Sequence, residues 1–396
     1  MQGSPYGTSV RDFRDSAPPR FVRIDMLLLL AAVGLIACSV YVIASATRED
    51  IPGDPNFYVY RQAAYGVVGL VLMLVLSCVD YSRFREWKAG LYVFMIGAIL
   101  VVFAAGTAVR GSRRAIDIGF FQLQTSELGK VLLILCLSAF VVDRMRRLGE
   151  RETTSRVVLL ALVPAMLVIA QPDLGSGLVY LAIVTAVLFV AGTKWTHFAA
   201  LGALAVVAIA AVLVAAPAMG VEVLKPYQTD RLTAFVNPTE NPAKQGYQQA
   251  QSLVAVGSGG KTGLGDQAKQ TKLDFLPEHH TDFVFSAVGE EFGFMGAAIV
   301  LSLFALLIWR CLRILTMSKN FYGTLIAGGV VAMLMFQIFV NVGMTIGIMP
   351  ITGVTLPLMS YGGSSVLVTF MALGLMQSIH AQARETALAK GRDLAL

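Results

Sequence analysis

Residues 26–46 read MLLLLAAVGLIACSVYVIASA, twenty-one positions without a charged side chain. At 1.5 Å per residue a helix of that length reaches about 30 Å, the depth of a bilayer's hydrocarbon core. The run is too long for the apolar core of a secretion signal, and it follows a polar arm. Applied outward, the same ruler finds clear spans at 63–79, 89–107, 199–219, 283–308, 323–346 and a short one at 366–379. Three less clean runs lie at 128–142, 157–170 and 175–192. The last two flank Gln171-Pro172-Asp173, and together they are too long for one span.

Composition agrees with this reading. Hydrophobic residues make up 56% of the 396, and charged residues only 14%, against about 25% in an average soluble domain. A disordered chain and an ordinary soluble enzyme are both excluded. Cys38, Cys78, Cys136 and Cys311 sit in or beside apolar runs and read as small apolar residues, neither a disulfide framework nor a metal site.

The net charge of +6 is a topology signal. With the N-terminal arm inside, 19 of the 31 Lys and Arg fall on short inside segments, as the positive-inside rule requires. No compact basic stripe interleaved with aromatics remains for nucleic acid, which is excluded as a partner. The expected fold is an all-α polytopic membrane protein of about ten transmembrane helices, N-in/C-in, with a long extracytoplasmic loop between helices 7 and 8. Its divisions are a cytoplasmic arm at 1–24, a transmembrane domain at 25–380 with the loop at 220–282, and a cytoplasmic tail at 381–396. That loop mixes glycines with Tyr247, Leu253, Val254 and Phe275, so it is no plain linker. Its stretch 247–256 suits a short amphipathic helix at the interface.

Charges that topology leaves unexplained are candidates for function, because an ionisable group at membrane depth is costly. Glu127 and Lys130, at i and i+3, share a helix face and can pair. Asp173 sits at a helix tip, where an N-cap is the bland alternative. Arg110, Arg113 and Arg114 crowd an outer loop against the positive-inside trend, and arginine forks suit phosphate. Anionic lipid headgroups are the competing partner there. The densest cluster is Leu276-Pro-Glu-His-His-Thr-Asp-Phe283, followed by Gly289-Glu-Glu291. Within it, Asp282 is placed to act as a general base, and His280 with Asp282 makes only a weak case for a metal. One of Glu290 and Glu291 is expected to pair with a basic group, with helix packing as the bland alternative. The segment 350–365, with two prolines and three glycines, reads as a re-entrant or tightly packed outer loop.

In number and order these stretches resemble the SEDS family (shape, elongation, division and sporulation). The resemblance rests on Tyr60-Arg-Gln62, Gly111-Ser-Arg-Arg114, Gln124-Thr-Ser-Glu-Leu-Gly-Lys130 and Gln171-Pro-Asp-Leu-Gly175. It continues through Tyr247-Gln-Gln-Ala-Gln-Ser252, Gly257-Ser-Gly-Gly260, Phe275 to Phe283, and Ser360-Tyr-Gly-Gly-Ser364. It implies a peptidoglycan glycosyltransferase of the bacterial cytoplasmic membrane, multi-pass, with its active site on the extracytoplasmic face. The implied substrate is lipid II, a disaccharide-pentapeptide on undecaprenyl pyrophosphate. The implied partners are a class B penicillin-binding protein and the surrounding membrane lipids.

Asp282 falls on the family's catalytic aspartate. Arg113, Arg114, Glu127, Lys130, Asp173, His280, Thr281, Ser360 and Tyr361 are the expected substrate-binding residues. No protein metal site is expected, although a divalent Mg or Mn is compatible with a leaving pyrophosphate. The stretches around Phe275 and Asn341 favour the RodA-like branch, which serves elongation, over the FtsW-like division branch. The chain departs from the family at Ala115, where a tryptophan is usual. A lipid II flippase is the rival reading, drawing on the same buried charges and the break near Pro172. The absence of an inverted repeat argues against it.

Overall fold

The computed structural model describes residues 24–48, 51, 53–105, 107–109, 112–117, 119, 122–219, 245–272, 275–276 and 278–389. Helices α1 (Met26–Ala46), α2 (Phe57–Cys78) and α3 (Lys88–Ala105) come first, then α4 (Thr125–Asp143), α5 (Arg151–Ala170), α6 (Leu174–Val190) and α7 (Trp195–Ala210). After the long loop's α8 (Gln245–Ser258) and α9 (Lys269–Lys272) come α10 (Val284–Met317), α11 (Phe321–Thr345) and α12 (Gly363–Ala389). Among the described residues, eight helices are long and apolar enough to cross a membrane, and α3 and α6 are shorter apolar helices. The chain is an α-helical polytopic membrane protein. Residues 1–23 of the arm, 220–244 of the long loop and 390–396 of the expected tail lie outside the described residues.

The departures from the expected spans have physical causes. Helix α2 starts at Phe57, six residues before the expected span, because Arg61 does not end it. The Arg61 guanidinium lies 4.1 Å from the centre of the Phe57 ring, one turn away. Helix α12 is far longer than 366–379, since its polar residues are satisfied inside the protein. Thr369 Oγ1 donates to the Ser365 carbonyl at 2.8 Å, Ser378 Oγ to Val79 at 2.5 Å, and Gln377 bonds Asp25. Helices α5 and α6 are two helices, turned at Pro172 with φ of 31°.

The all-α expectation missed a three-stranded antiparallel sheet between α3 and α4: β1 (Thr107–Val109), β2 (Ser112–Asp117) and β3 (Gln122–Gln124), in that order. Strands this short carry too few positions for a period-2 pattern to register. In the long loop, α8 forms over the stretch expected to be a short amphipathic helix. Gln249 and Ser252 are buried against the protein, whereas Leu253 and Val254 are exposed.

A buried ion pair locks one end of the bundle. Asp25 caps α1 by accepting from Leu28 N at 3.0 Å, and its carboxylate takes Arg310 Nε at 2.9 Å and Nη2 at 2.5 Å. Gln377 completes the joint, its amide bonding both the N–H and the carbonyl of Asp25. Helices α1, α10 and α12 thus converge on one residue. Arg310 lies beyond the expected end of its span, and the pair explains why the helix runs on to Met317.

Replacing Arg310 with alanine strands the Asp25 carboxylate in the core. The expected cost is about 3–5 kcal/mol, seen as a lowered melting temperature of the purified protein in detergent. Asp25→Asn combined with Arg310→Met should lose clearly less, because no buried charge remains.

Candidate functional site

The end of the bundle opposite the Asp25–Arg310 pair gathers most of the candidate residues. Asp282 sits on a tight turn over 278–283, which leads into α10. The turn is closed by Thr281 N and Phe283 N, both donating to the Glu278 carbonyl at 3.1 and 3.2 Å. Thr281 Oγ1 adds a 2.7 Å bond to Glu278 Oε2. Glu278 holds φ at 66°, a conformation that costs a non-glycine residue energy and must be held by its surroundings.

Two distant segments hold the turn. Asn341 Nδ2, on α11, donates to the Asp282 carbonyl at 2.9 Å and to the Val354 carbonyl at 2.8 Å. Tyr361 N donates to the His280 carbonyl at 2.8 Å. The loop 350–362 is packed against protein, as a non-helical segment among membrane helices must be. Ser360 Oγ accepts from Leu356 N at 2.8 Å, and Gln62 Nε2 reaches the Ser360 carbonyl at 3.3 Å.

A continuous path of hydrogen bonds then runs inward. Ser364 Oγ donates to the Gln122 carbonyl at 2.5 Å and accepts from Gln124 N at 2.9 Å. Gln124 Nε2 donates to Asp173 Oδ2 at 3.1 Å, and Ser126 Oγ joins the same oxygen at 2.8 Å. Asp173 Oδ1 caps α6 through Ser176 N at 3.1 Å, so the N-cap is real and only half of that carboxylate's work. One residue beyond Ser126, Glu127 Oε1 takes Lys130 Nζ at 2.5 Å with both side chains buried.

The structure therefore places Thr281, His280 and Tyr361 beside Asp282, with Ser360 in the loop that supports them. Glu127, Lys130 and Asp173 form a second, deeper group joined to the first through the sheet. Arg113 and Arg114 lie on β2, with side chains outside the described ones, and Arg110 is outside them altogether. Ala115 is on the same strand, paired with Gln124. Among the described residues, no three His, Cys, Asp or Glu side chains come together as metal ligands.

Of the two glutamates, Glu290 takes no basic partner among the described residues. Its carboxylate accepts instead from Gln270 N at 2.8 Å, Thr271 N at 2.9 Å and Thr271 Oγ1 at 2.5 Å, capping the one-turn α9. The same neighbourhood contains a break in α10. Gly293 leaves helical geometry with φ of 63°, and the loop fills the gap. Leu264 N donates to the Glu290 carbonyl at 2.9 Å, while Phe294 N and Met295 N donate to Gly260 and Lys261 at 2.9 and 3.1 Å. The fit requires bare backbone. A Cβ on Gly263, whose φ is +85°, would sit 2.1 Å from the Glu291 carbonyl oxygen.

Inspection of the sequence alone missed Tyr58 and Asn341 as parts of this site. Tyr58 precedes Arg61 and was counted outside the membrane. Asn341 is a single amide inside an apolar run, and its lack of charge hid it.

These observations define a multi-pass helical membrane protein with a polar, carboxylate-bearing site at one end of its bundle. Residues 21–385 match the family model described as cell cycle protein, which groups FtsW, RodA and SpoVE. The chain belongs to that family. It is 34% identical over 370 residues to stage V sporulation protein E of Bacillus subtilis, covering 92% of this chain and 98% of that one. It is 35% identical over 362 residues to peptidoglycan glycosyltransferase MrdB of Escherichia coli K12, covering 91% and 94%. Among solved structures it resembles rod shape determining protein RodA of Thermus thermophilus, with a TM-score of 0.67 and 28% identity over 91% of this chain and 98% of that one. A chain of a peptidoglycan synthase complex that coordinates polymerization and crosslinking is similar at a TM-score of 0.77, 29% identity and the same coverage.

Gly263→Ala is expected to release the loop from α10, since strain at positive φ adds about 1–3 kcal/mol to the clash. Limited proteolysis should then cut within 257–272, where the unaltered protein resists.

Proposed function

We propose that the protein is a peptidoglycan glycosyltransferase of the RodA-like branch, polymerising lipid II at the extracytoplasmic face of the bacterial cytoplasmic membrane. The observation that carries the reading is the Asp282 turn. A partly exposed carboxylate stands on a turn whose backbone carbonyls accept bonds from the Asn341 side chain and the Tyr361 amide, beside a histidine, a threonine and a tyrosine. Such rigid support is what a catalytic group needs.

The reaction follows from these parts. The 4-hydroxyl of one lipid II sugar attacks the anomeric carbon of the growing strand. The bond from that carbon to the pyrophosphate oxygen breaks, and undecaprenyl pyrophosphate leaves with the electron pair. Inversion from an α-linked donor to a β-1,4 product requires a single displacement with one general base. Asp282 takes the hydroxyl proton. His280, Thr281 and Tyr361 line the approach to it, and the Ser360 loop fixes their register.

The leaving pyrophosphate needs positive charge. Arg113 and Arg114 fit that role by residue type and position on β2. Lys130, paired with Glu127, belongs to the deeper group that steadies the sheet. A divalent Mg or Mn on the pyrophosphate would supply the same electrostatic help. A class B penicillin-binding protein, crosslinking the nascent strands, is the expected partner, in keeping with the synthase complex among the similar structures.

The test is polymerisation of labelled lipid II in detergent, where sidedness is absent, by the protein with its transpeptidase partner. Asp282→Asn should lower the rate by about two to four orders of magnitude while still folding and binding the partner. Wild-type rates from that variant would remove Asp282 from the mechanism. No glycan from the unaltered complex would favour the flippase.

A further inference from the structure

We infer that Tyr58 is a sugar-contacting residue, the aromatic wall against which the substrate's pyranose ring is seated beside Asp282. The inference rests on the glycosyltransferase reading and adds a residue to it. Tyr58 lies in the first turn of α2, and its ring meets those of two residues already placed at the site. Its centroid is 4.8 Å from that of His280 at an interplanar angle of 34°, and 5.0 Å from that of Tyr361 at 86°. His280 and Tyr361 are themselves 5.8 Å apart. Three rings from three separate segments therefore converge two residues from Asp282.

The helix face explains why Tyr58 differs from an ordinary packing residue. Positions 58, 62 and 65 share one face of α2. Gln62 and Tyr65 on that face are buried, Gln62 against the Ser360 carbonyl and Tyr65 at 6.3 Å from Tyr361. One turn further out, Tyr58 is only partly buried. It stands where the face emerges from the protein, next to the catalytic turn. A pyranose presents an apolar C–H face to an aromatic ring and hydroxyls at its rim. A tyrosine offers both the ring and a polar tip, and its position on a helix fixes the platform.

The experiment measures equilibrium binding of labelled lipid II and of undecaprenyl pyrophosphate, which has no sugar, to the full chain in detergent. Tyr58→Leu keeps apolar bulk and removes the ring. It should raise the Kd for lipid II roughly two- to twelvefold, the range of an aromatic contact, and leave that for undecaprenyl pyrophosphate unchanged. KM should rise in parallel, with kcat within about twofold. Tyr58→Phe should recover most of the lost affinity. Equal weakening of both ligands, unchanged lipid II binding, or a fall in kcat alone would each overturn the inference. The binding arm does not depend on proton transfer, so it stands even if Asp282→Asn proves active.

Discussion

The exchange of backbone hydrogen bonds at the α10 break is the constraint on which the site depends. A bilayer leaves no water to satisfy stray amides, so a helix interrupted at Gly293 must find partners inside the protein. It finds them in the loop: Gly260 and Lys261 supply carbonyls, and Leu264 returns an amide to Glu290. The loop is thereby incorporated into the membrane helix as if it were a further turn. Glu290 contributes twice, its carbonyl to Leu264 and its carboxylate to α9. Because the Asp282 turn lies between that loop and α10, holding both ends holds the turn.

The glycines around this break have a direct geometric reason. Gly259 approaches the Gly289 carbonyl so closely that a Cβ would stand 1.8 Å from the oxygen, and Gly293 meets the Gly263 amide at 2.4 Å in the same sense. Backbone on backbone at this range tolerates no side chain. The glycine-rich run that looks like a linker in the sequence is a packing surface, and the apolar residues interspersed through the loop were the sign of it.

Much of the architecture was legible because burial in a bilayer imposes length on apolar runs. Met26–Ala46 appears in the structure with the bounds read from residue type alone. Legibility failed where polar side chains are satisfied within the bundle. Arg61, Arg310 and the Ser, Thr and Gln residues of α12 looked like span ends, yet each has an internal contact or bond that no local pattern encodes. The candidate site behaved likewise. Its charges stood out individually, but Gln124, Ser126, Asn341 and Ser364, which connect them, are uncharged and join positions up to 242 residues apart. Which groups meet is a tertiary fact.

That connecting path bears on how the two groups of polar residues act together. Asp173 and the Glu127–Lys130 pair are buried, and each carries bonds within the protein. The Asp173 bonds tie α4, α6 and the β3 strand into one body, and the Glu127–Lys130 pair lies within α4 beside them. Ser364 carries that rigidity to the loop bearing Tyr361, and Tyr361 passes it to the His280 backbone. Position 115, on β2 and paired with Gln124, belongs to the same body. An alanine there still passes the strand's register to Gln124, since backbone pairing needs no particular side chain. What the smaller residue gives up is ring surface, and in this chain the rings that stand at the site are those of Tyr58, His280 and Tyr361.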